Sequence, residues 1–138
     1  MEVINQNLHV LYETTTLSVG NVFERVYLIN KATQHLTCIG EIYGDPTWGL
    51  ISDKEDWAIV GGQTLILWQA PNFIVQMEDE ELVGSVRARQ ISPNELEILV
   101  DPFSDKSSVW LLNVDSLLIR QLITRDKLKG PWSDEIEW

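Results

Sequence analysis

Asp56-Trp57-Ala58-Ile59-Val60-Gly61-Gly62, followed by Thr64-Leu65-Ile66-Leu67-Trp68 and then Phe73-Ile74-Val75-Gln76-Met77, is the stretch that decides the fold. Short apolar runs rich in β-branched, aliphatic and aromatic residues, broken by the turn signal Gly61-Gly62-Gln63, read as strands joined by hairpins. The same pattern recurs on either side. Upstream it is Leu8-His9-Val10-Leu11-Tyr12, Arg25-Val26-Tyr27-Leu28-Ile29-Asn30 and His35-Leu36-Thr37-Cys38-Ile39. Downstream it is Glu95-Leu96-Glu97-Ile98-Leu99-Val100, Ser108-Val109-Trp110-Leu111-Leu112-Asn113 and Leu117-Leu118-Ile119-Arg120-Gln121-Leu122. Recurrence at roughly 40 to 47 residues is the length scale of a β-meander unit. The expected architecture is a single all-β domain with little helix, built from three antiparallel units over about 4–42, 51–80 and 91–123, with a tail at 124–138.

The turns that open the units agree with this division. They are Asn5-Gln6-Asn7, Ser52-Asp53-Lys54-Glu55-Asp56 and Ser92-Pro93-Asn94, all rich in residues whose side chains bond to their own backbone. Two of them follow the same dipeptide, Ile51-Ser52 and Ile91-Ser92. Further hairpin signals are the polar stretch Ser18-Val19-Gly20-Asn21 and the loop from Asp101 to Ser107. Leu65-Ile66-Leu67-Trp68 and Trp110-Leu111-Leu112 alternate poorly, which predicts strands buried on both faces of stacked sheets. Helical spacing is present in Val114 to Ile123, where the repeat argues for strand instead, and Ser133-Asp134-Glu135 could cap a turn in the tail.

Composition bounds the function. The chain has 138 residues with 44% hydrophobic content, enough for one core without staples. Its apolar runs fall well short of the ~20 residues of a membrane helix. Met1-Glu2-Val3-Ile4-Asn5-Gln6-Asn7 carries neither the basic leader nor the apolar segment of a secretory signal, so the expected location is the cytoplasm. Ten Lys and Arg against 21 Asp and Glu leave a net charge of −11. Such a chain repels phosphate, so neither nucleic acid nor an anionic membrane is an expected partner. The charge is lopsided: residues 1–86 hold twelve acids and three bases (net −9), and residues 87–138 hold nine and seven (net −2).

The strand units resemble β-propeller blades of the WD-repeat type, the likeness being carried by Ile51 to Gly62 and Thr64 to Trp68. The Gly-His and Trp-Asp signatures of that family are missing. Propellers close with roughly four to eight blades. Three units therefore imply an open stack or half-propeller, two copies combined, or a distorted barrel or sandwich.

No motif for chemistry emerges. Cys38 is the one cysteine, flanked by strand residues, and reads as a buried thiol; His9 and His35 sit within strands and give it no evident base. There is no Gly-x-Ser-x-Gly elbow, and Gly61-Gly62 lacks the Gly-Lys-Ser/Thr ending of a phosphate loop. The acids of Asp101 to Ser108 lack the spacing and glycine of a calcium loop. Neither a metal nor another cofactor is expected. Glu78-Asp79-Glu80-Glu81 and Asp53, Glu55 and Asp56 read as solvated turns, since acid catalysis needs an enclosed pocket and a raised pKa. Of the six tryptophans, Trp57, Trp68 and Trp110 read as core. Trp48 lies in the connector Tyr43-Gly44-Asp45-Pro46-Thr47-Trp48-Gly49, either covering the adjoining sheet or presented as a contact anchor. Trp132 and Trp138 either clasp the domain or reach a partner.

In size, acidity and absence of chemistry the chain resembles the immunity proteins of bacterial toxin–immunity systems, such as those of contact-dependent inhibition. The resemblance implies a non-catalytic inhibitor of a cognate toxin domain, often a basic nuclease, met by acidic groups in place of phosphates. The expected contact residues are Trp48, Asp53, Glu55, Asp56, Glu78, Asp79, Glu80 and Glu81. Two other classes stay open: a homo-oligomeric scaffold in which two chains complete a ring, and a small-ligand binder or enzyme using a pocket between units.

Overall fold

A computed structural model describes residues 8–78, 82–100 and 108–123. With 64% strand and 1% helix it bears out the all-β expectation. Twelve strands form three antiparallel sheets, each a meander in chain order. The first sheet is β1 (His9–Glu13), β2 (Leu17–Val22), β3 (Arg25–Asn30) and β4 (His35–Glu41). The second is β5 (Trp48–Ile51), β6 (Trp57–Gly61), β7 (Leu65–Gln69) and β8 (Phe73–Met77). The third is β9 (Ser85–Ser92), β10 (Glu95–Val100), β11 (Ser108–Asn113) and β12 (Ile119–Ile123).

Each unit thus has four strands where sequence reasoning finds three. The missed ones are β2, β5 and β9. β2 contains Ser18, Gly20 and Asn21, residues that ordinarily signal a turn, yet all three are buried. β5 is short, follows Pro46 and contains Gly49. A Cβ on Gly49 would come within 2.9 Å of Val19 Cγ2 and 3.0 Å of Leu11 Cβ, so glycine is needed where the first strands of adjacent sheets approach closely. The segment Val114 to Ile123, also compatible with helix, is a turn leading into β12. Unit limits shift accordingly, the second sheet starting at Trp48 and the third at Ser85.

The sheets stack like blades. β1 lies against β5, and β5 against β9, so the first strand of each sheet is innermost. Both faces of the middle sheet are buried. Along β6 and β7, Trp57, Ile59, Leu65 and Leu67 pack toward Leu96, Ile98, Val100 and Leu112 of the third sheet. Ala58, Val60, Ile66 and Trp68 pack toward Val19, Val26, Leu28 and Ile39 of the first. Strict inside–outside alternation is therefore replaced by continuous apolar runs, as expected of a sheet covered on both sides. Each fully buried Ile or Leu contributes roughly 1.5–3 kcal/mol, which makes this sheet the chief source of stability.

The internal repeat is real in three dimensions. Ile51-Ser52 and Ile91-Ser92 occupy the same place, at the end of the first strand of a sheet. Ser52 Oγ donates to Asp56 Oδ1 (2.7 Å) and Ser92 Oγ to Glu95 Oε1 (3.1 Å), so each serine bonds an acid across the following turn. Trp68 in β7 and Trp110 in β11 likewise both face the preceding sheet from a third strand.

Candidate functional site

Antiparallel pairing sorts the turns onto two ends of the stack. Ile51 pairs with Ala58 and Gln69 with Phe73, which places turn 52–56 and turn 70–72 at one end. Trp48 pairs with Gly61 and Leu65 with Met77, which places turn 62–64, the connector 42–47 and Glu78 at the other. A five-residue strand separates these ends by about 15 Å. Asp53, Glu55 and Asp56 therefore do not share a surface with Glu78. Asp79, Glu80 and Glu81 lie outside the described residues.

At the first end Glu55 and Asp56 are bonded through their carboxylates within the chain, and Asp53, exposed, through its backbone amide. Glu55, half-buried and at φ 60°, accepts hydrogen bonds at Oε2 from the Thr14 hydroxyl, from Thr16 N (2.9 Å) and from Thr16 Oγ1 (2.7 Å). These bonds clasp the first sheet to the second. Led by the Thr14 hydroxyl, they stabilise the anion and hold the Glu55 carboxyl below its ordinary range. Asp56 takes the Ser52 hydroxyl, and the Asp53 amide donates to Gln90 Oε1 (2.8 Å), tying the second sheet to the third. Glu13 pairs with Lys31 (2.8 Å), and Asp115 accepts from Asn94 (3.1 Å).

Trp48 is a core residue and not an exposed anchor. It is 6% exposed, lies in the cluster between the second and third sheets, and donates from Nε1 to Ser85 Oγ (2.9 Å). The indole rests over Gly61, its cross-strand partner, where the missing side chain makes room for it. Cys38, expected in the core, is exposed on β4 instead, because Ile39 beside it takes the inward position.

A hollow of about 480 Å3 lined by Asp56 and Asp115 lies at the first end, and the second end carries the two most exposed aromatic rings among the described residues. Between the β2–β3 turn and the start of the β4–β5 connector lies an open hollow of about 570 Å3, lined by Val22, Phe23, Glu24, Arg25, Tyr27, Glu41 and Asp45. Phe23 is 78% exposed and Tyr43, on the connector, 82%. Phe23 sits at φ 52° and Asp45 at φ 69°, a conformation uncommon for residues with a side chain and rarest for a bulky one. Local bonds hold it: Asn21 Nδ2 donates to Phe23 O (2.8 Å), Ile42 N to Glu24 O (2.8 Å), and Gly44 N to Glu24 Oε2 (2.8 Å). Glu24 thus fastens the Phe23 turn to the Tyr43 connector.

Charge there is available to an incoming group. Arg25 Nε stands 3.7 Å from Glu41 Oε2 with both side chains 65% exposed, a loose pair of little energetic weight. The carboxylates of Asp45 and Glu78 have no hydrogen bond or ion pair among the described residues. Exposed aromatic rings beside unneutralised carboxylates form a surface suited to guanidinium and ammonium groups, by cation–π contact and charge. Sequence reasoning passed over Phe23, Glu24 and Glu41; the visible signal was an aromatic and an acid together at a turn, Asn21-Val22-Phe23-Glu24.

Among the described residues no three His, Cys, Asp or Glu side chains are grouped to hold a metal ion, and no helix is long and apolar enough to cross a membrane. Compared with known proteins, the chain matches no protein-family model and no curated sequence.

Proposed function

We propose that this protein is a non-catalytic binding module that captures a basic protein at the end bearing Phe23 and Tyr43, and that it serves as an immunity protein neutralising a cognate bacterial toxin domain in the cytoplasm. The observation that carries the reading is the open hollow lined by Phe23 and the carboxylates of Glu24, Glu41 and Asp45 against the one guanidinium of Arg25, with Tyr43 exposed on the adjoining connector and Glu78 at the same end of the stack. A net charge of −11 supplies long-range attraction, which raises encounter rates with an oppositely charged partner by roughly 10- to 1,000-fold. The aromatic rings then supply the short-range contact area that charge alone lacks. Phe23, Glu24, Glu41, Tyr43, Asp45 and Glu78 replace Trp48 and the 52–56 turn as the contact set.

The test pairs this protein with the product of the neighbouring gene. A basic toxin-like domain that it binds and neutralises supports the reading; an operon of unrelated metabolic enzymes opposes it. With such a partner in hand, Glu41→Lys combined with Asp45→Lys slows capture and flattens its dependence on salt. Unchanged rate and salt slope would remove this end from the interface.

A further inference from the structure

Register defines the face of the third sheet that is turned away from the middle sheet. One row across it is Arg87–Leu99–Val109, and the next is Arg89–Glu97–Leu111–Arg120. Both alternate with the inward Leu96, Ile98 and Leu112. The sheet is the last of the stack, and among the described residues the other sheets meet it only on its inner side. Yet Leu99 and Val109 are each 1% exposed, and neither belongs to the core on either side of the middle sheet. An aliphatic side chain on the open face of an antiparallel sheet keeps part of its surface in water. This row is covered by chain other than the twelve strands.

We propose that the segment Gly130-Pro131-Trp132-Ser133-Asp134-Glu135-Ile136-Glu137-Trp138, which lies outside the described residues, folds back over this face. It sets an indole on Leu99 and Val109 and its three carboxylates among Arg87, Arg89 and Arg120. Exit point, reach and charge select this occupant. The chain leaves β12 at Ile123, which pairs with Val109 in the covered row itself. Crossing the sheet from β12 to β9 takes three strand spacings, about 14 Å. Residues 124–138 can extend to about 50 Å. Arg87, Arg89 and Arg120 gather positive charge on one face of a chain of net charge −11. Glu97 meets Arg89 (2.8 Å), whereas Arg87 and Arg120 have no hydrogen bond or ion pair among the described residues. Residues 130–138 hold three acids, two tryptophans and no base. The loop 101–107, which also adjoins this row and lies outside the described residues, offers one ring, Phe103, and Lys106 offsets one of its two acids. Folded back in this way, the segment hides an arginine face that would otherwise repel a basic partner.

Methyl NOE spectra of the full isotope-labelled chain test this without any toxin partner. Cross-peaks from the Leu99 and Val109 methyls to the indole protons of Trp132 or Trp138 are expected. Cross-peaks to Phe103 with none to either indole place the 101–107 loop on the face and overturn the proposal, as does the absence of any cross-peak to 124–138. The charge pairing has its own readout. Arg87→Glu combined with Arg120→Glu, both at exposed positions, moves the 130–138 amide shifts to random-coil values and speeds their exchange several-fold. Lys54→Glu, a charge reversal on the 52–56 turn, leaves them in place. Amides of 130–138 that ignore the loss of both arginines overturn the proposal.

Discussion

Replacing Gly61 by alanine probes the contact that took Trp48 out of the binding surface. A methyl at Gly61 would fall inside the indole, against Trp48 Cε2, Cζ2 and Nε1. Both strands are pinned by the β5–β6 ladder, Trp48↔Gly61 through Ile51↔Ala58, so the indole and not the backbone must move. Overpacking a filled core costs about 1–3 kcal/mol. Moving the indole also breaks the buried Trp48 Nε1–Ser85 Oγ bond, worth about 0.5–1.5 kcal/mol. The sum is a loss of about 1.5–4.5 kcal/mol, a large part of the roughly 5–15 kcal/mol that holds a domain folded. In urea, with a slope of about 2 kcal/mol per molar, the unfolding midpoint falls by about 0.7–2.3 M. Tryptophan fluorescence follows the transition. Because the clash is with the indole, Gly61→Ala is less harmful in a Trp48→Leu background, a coupling of about 0.5–3 kcal/mol in a double-mutant cycle. A Gly61→Ala protein within about 0.5 kcal/mol of wild type would refute the packing described for Trp48.

Other outcomes follow from the same geometry. Glu55→Gln removes an anion whose folded-state pKa lies below that of a free glutamate, so the bonds from Thr14 and Thr16 stabilise the wild type above the free value and lose their effect as pH falls through the folded one. The stability gap between wild type and Glu55→Gln, measured by denaturant titration, therefore closes on acidification; a gap that stays constant with pH contradicts the clasp. Ile59→Val and Ile66→Val, on opposite faces of the middle sheet, each cost about 0.5–1.5 kcal/mol, and the double variant equals the sum within about 0.5 kcal/mol. Strong coupling between them would mean that the two cores are one.

Much of the fold is legible because burial of the middle sheet leaves so plain a mark. Residues 57–77 carry no charge, and their apolar runs and the Gly61-Gly62 turn map directly onto β6, β7 and β8. The strands that escaped reading are those whose residues answer to close approach instead of apolar packing. Gly20 and Gly49 are small because a neighbouring strand touches them, and propensity rules read such residues as turns. Seeing Arg87 and Arg89 as one face of β9 requires knowing that the face opposite the middle sheet is free to be polar.

The site was harder to read for a topological reason. Composition alone groups the acids of 53–56 and 78–81 as one contact set, but a meander sends successive turns to opposite ends, so Asp53 to Asp56 and Glu78 part company. Conversely, Glu24 and Gly44 meet only because the β2–β3 turn and the β4–β5 connector share an end. A Gly- and Pro-punctuated segment leaves Trp48 open between covering the sheet and serving as an anchor, and its burial depends on a glycine thirteen residues later.

The most direct measurement of where this protein receives a basic partner is amide chemical-shift mapping of the isotope-labelled chain during titration with an oligoarginine peptide. Shifts concentrated at Phe23, Glu24, Tyr43, Asp45 and Glu78, and lost on adding salt, are the predicted result. Shifts centred instead on Asp53 and Asp56, or spread evenly over both ends, would contradict the assignment of the aromatic end as the docking surface.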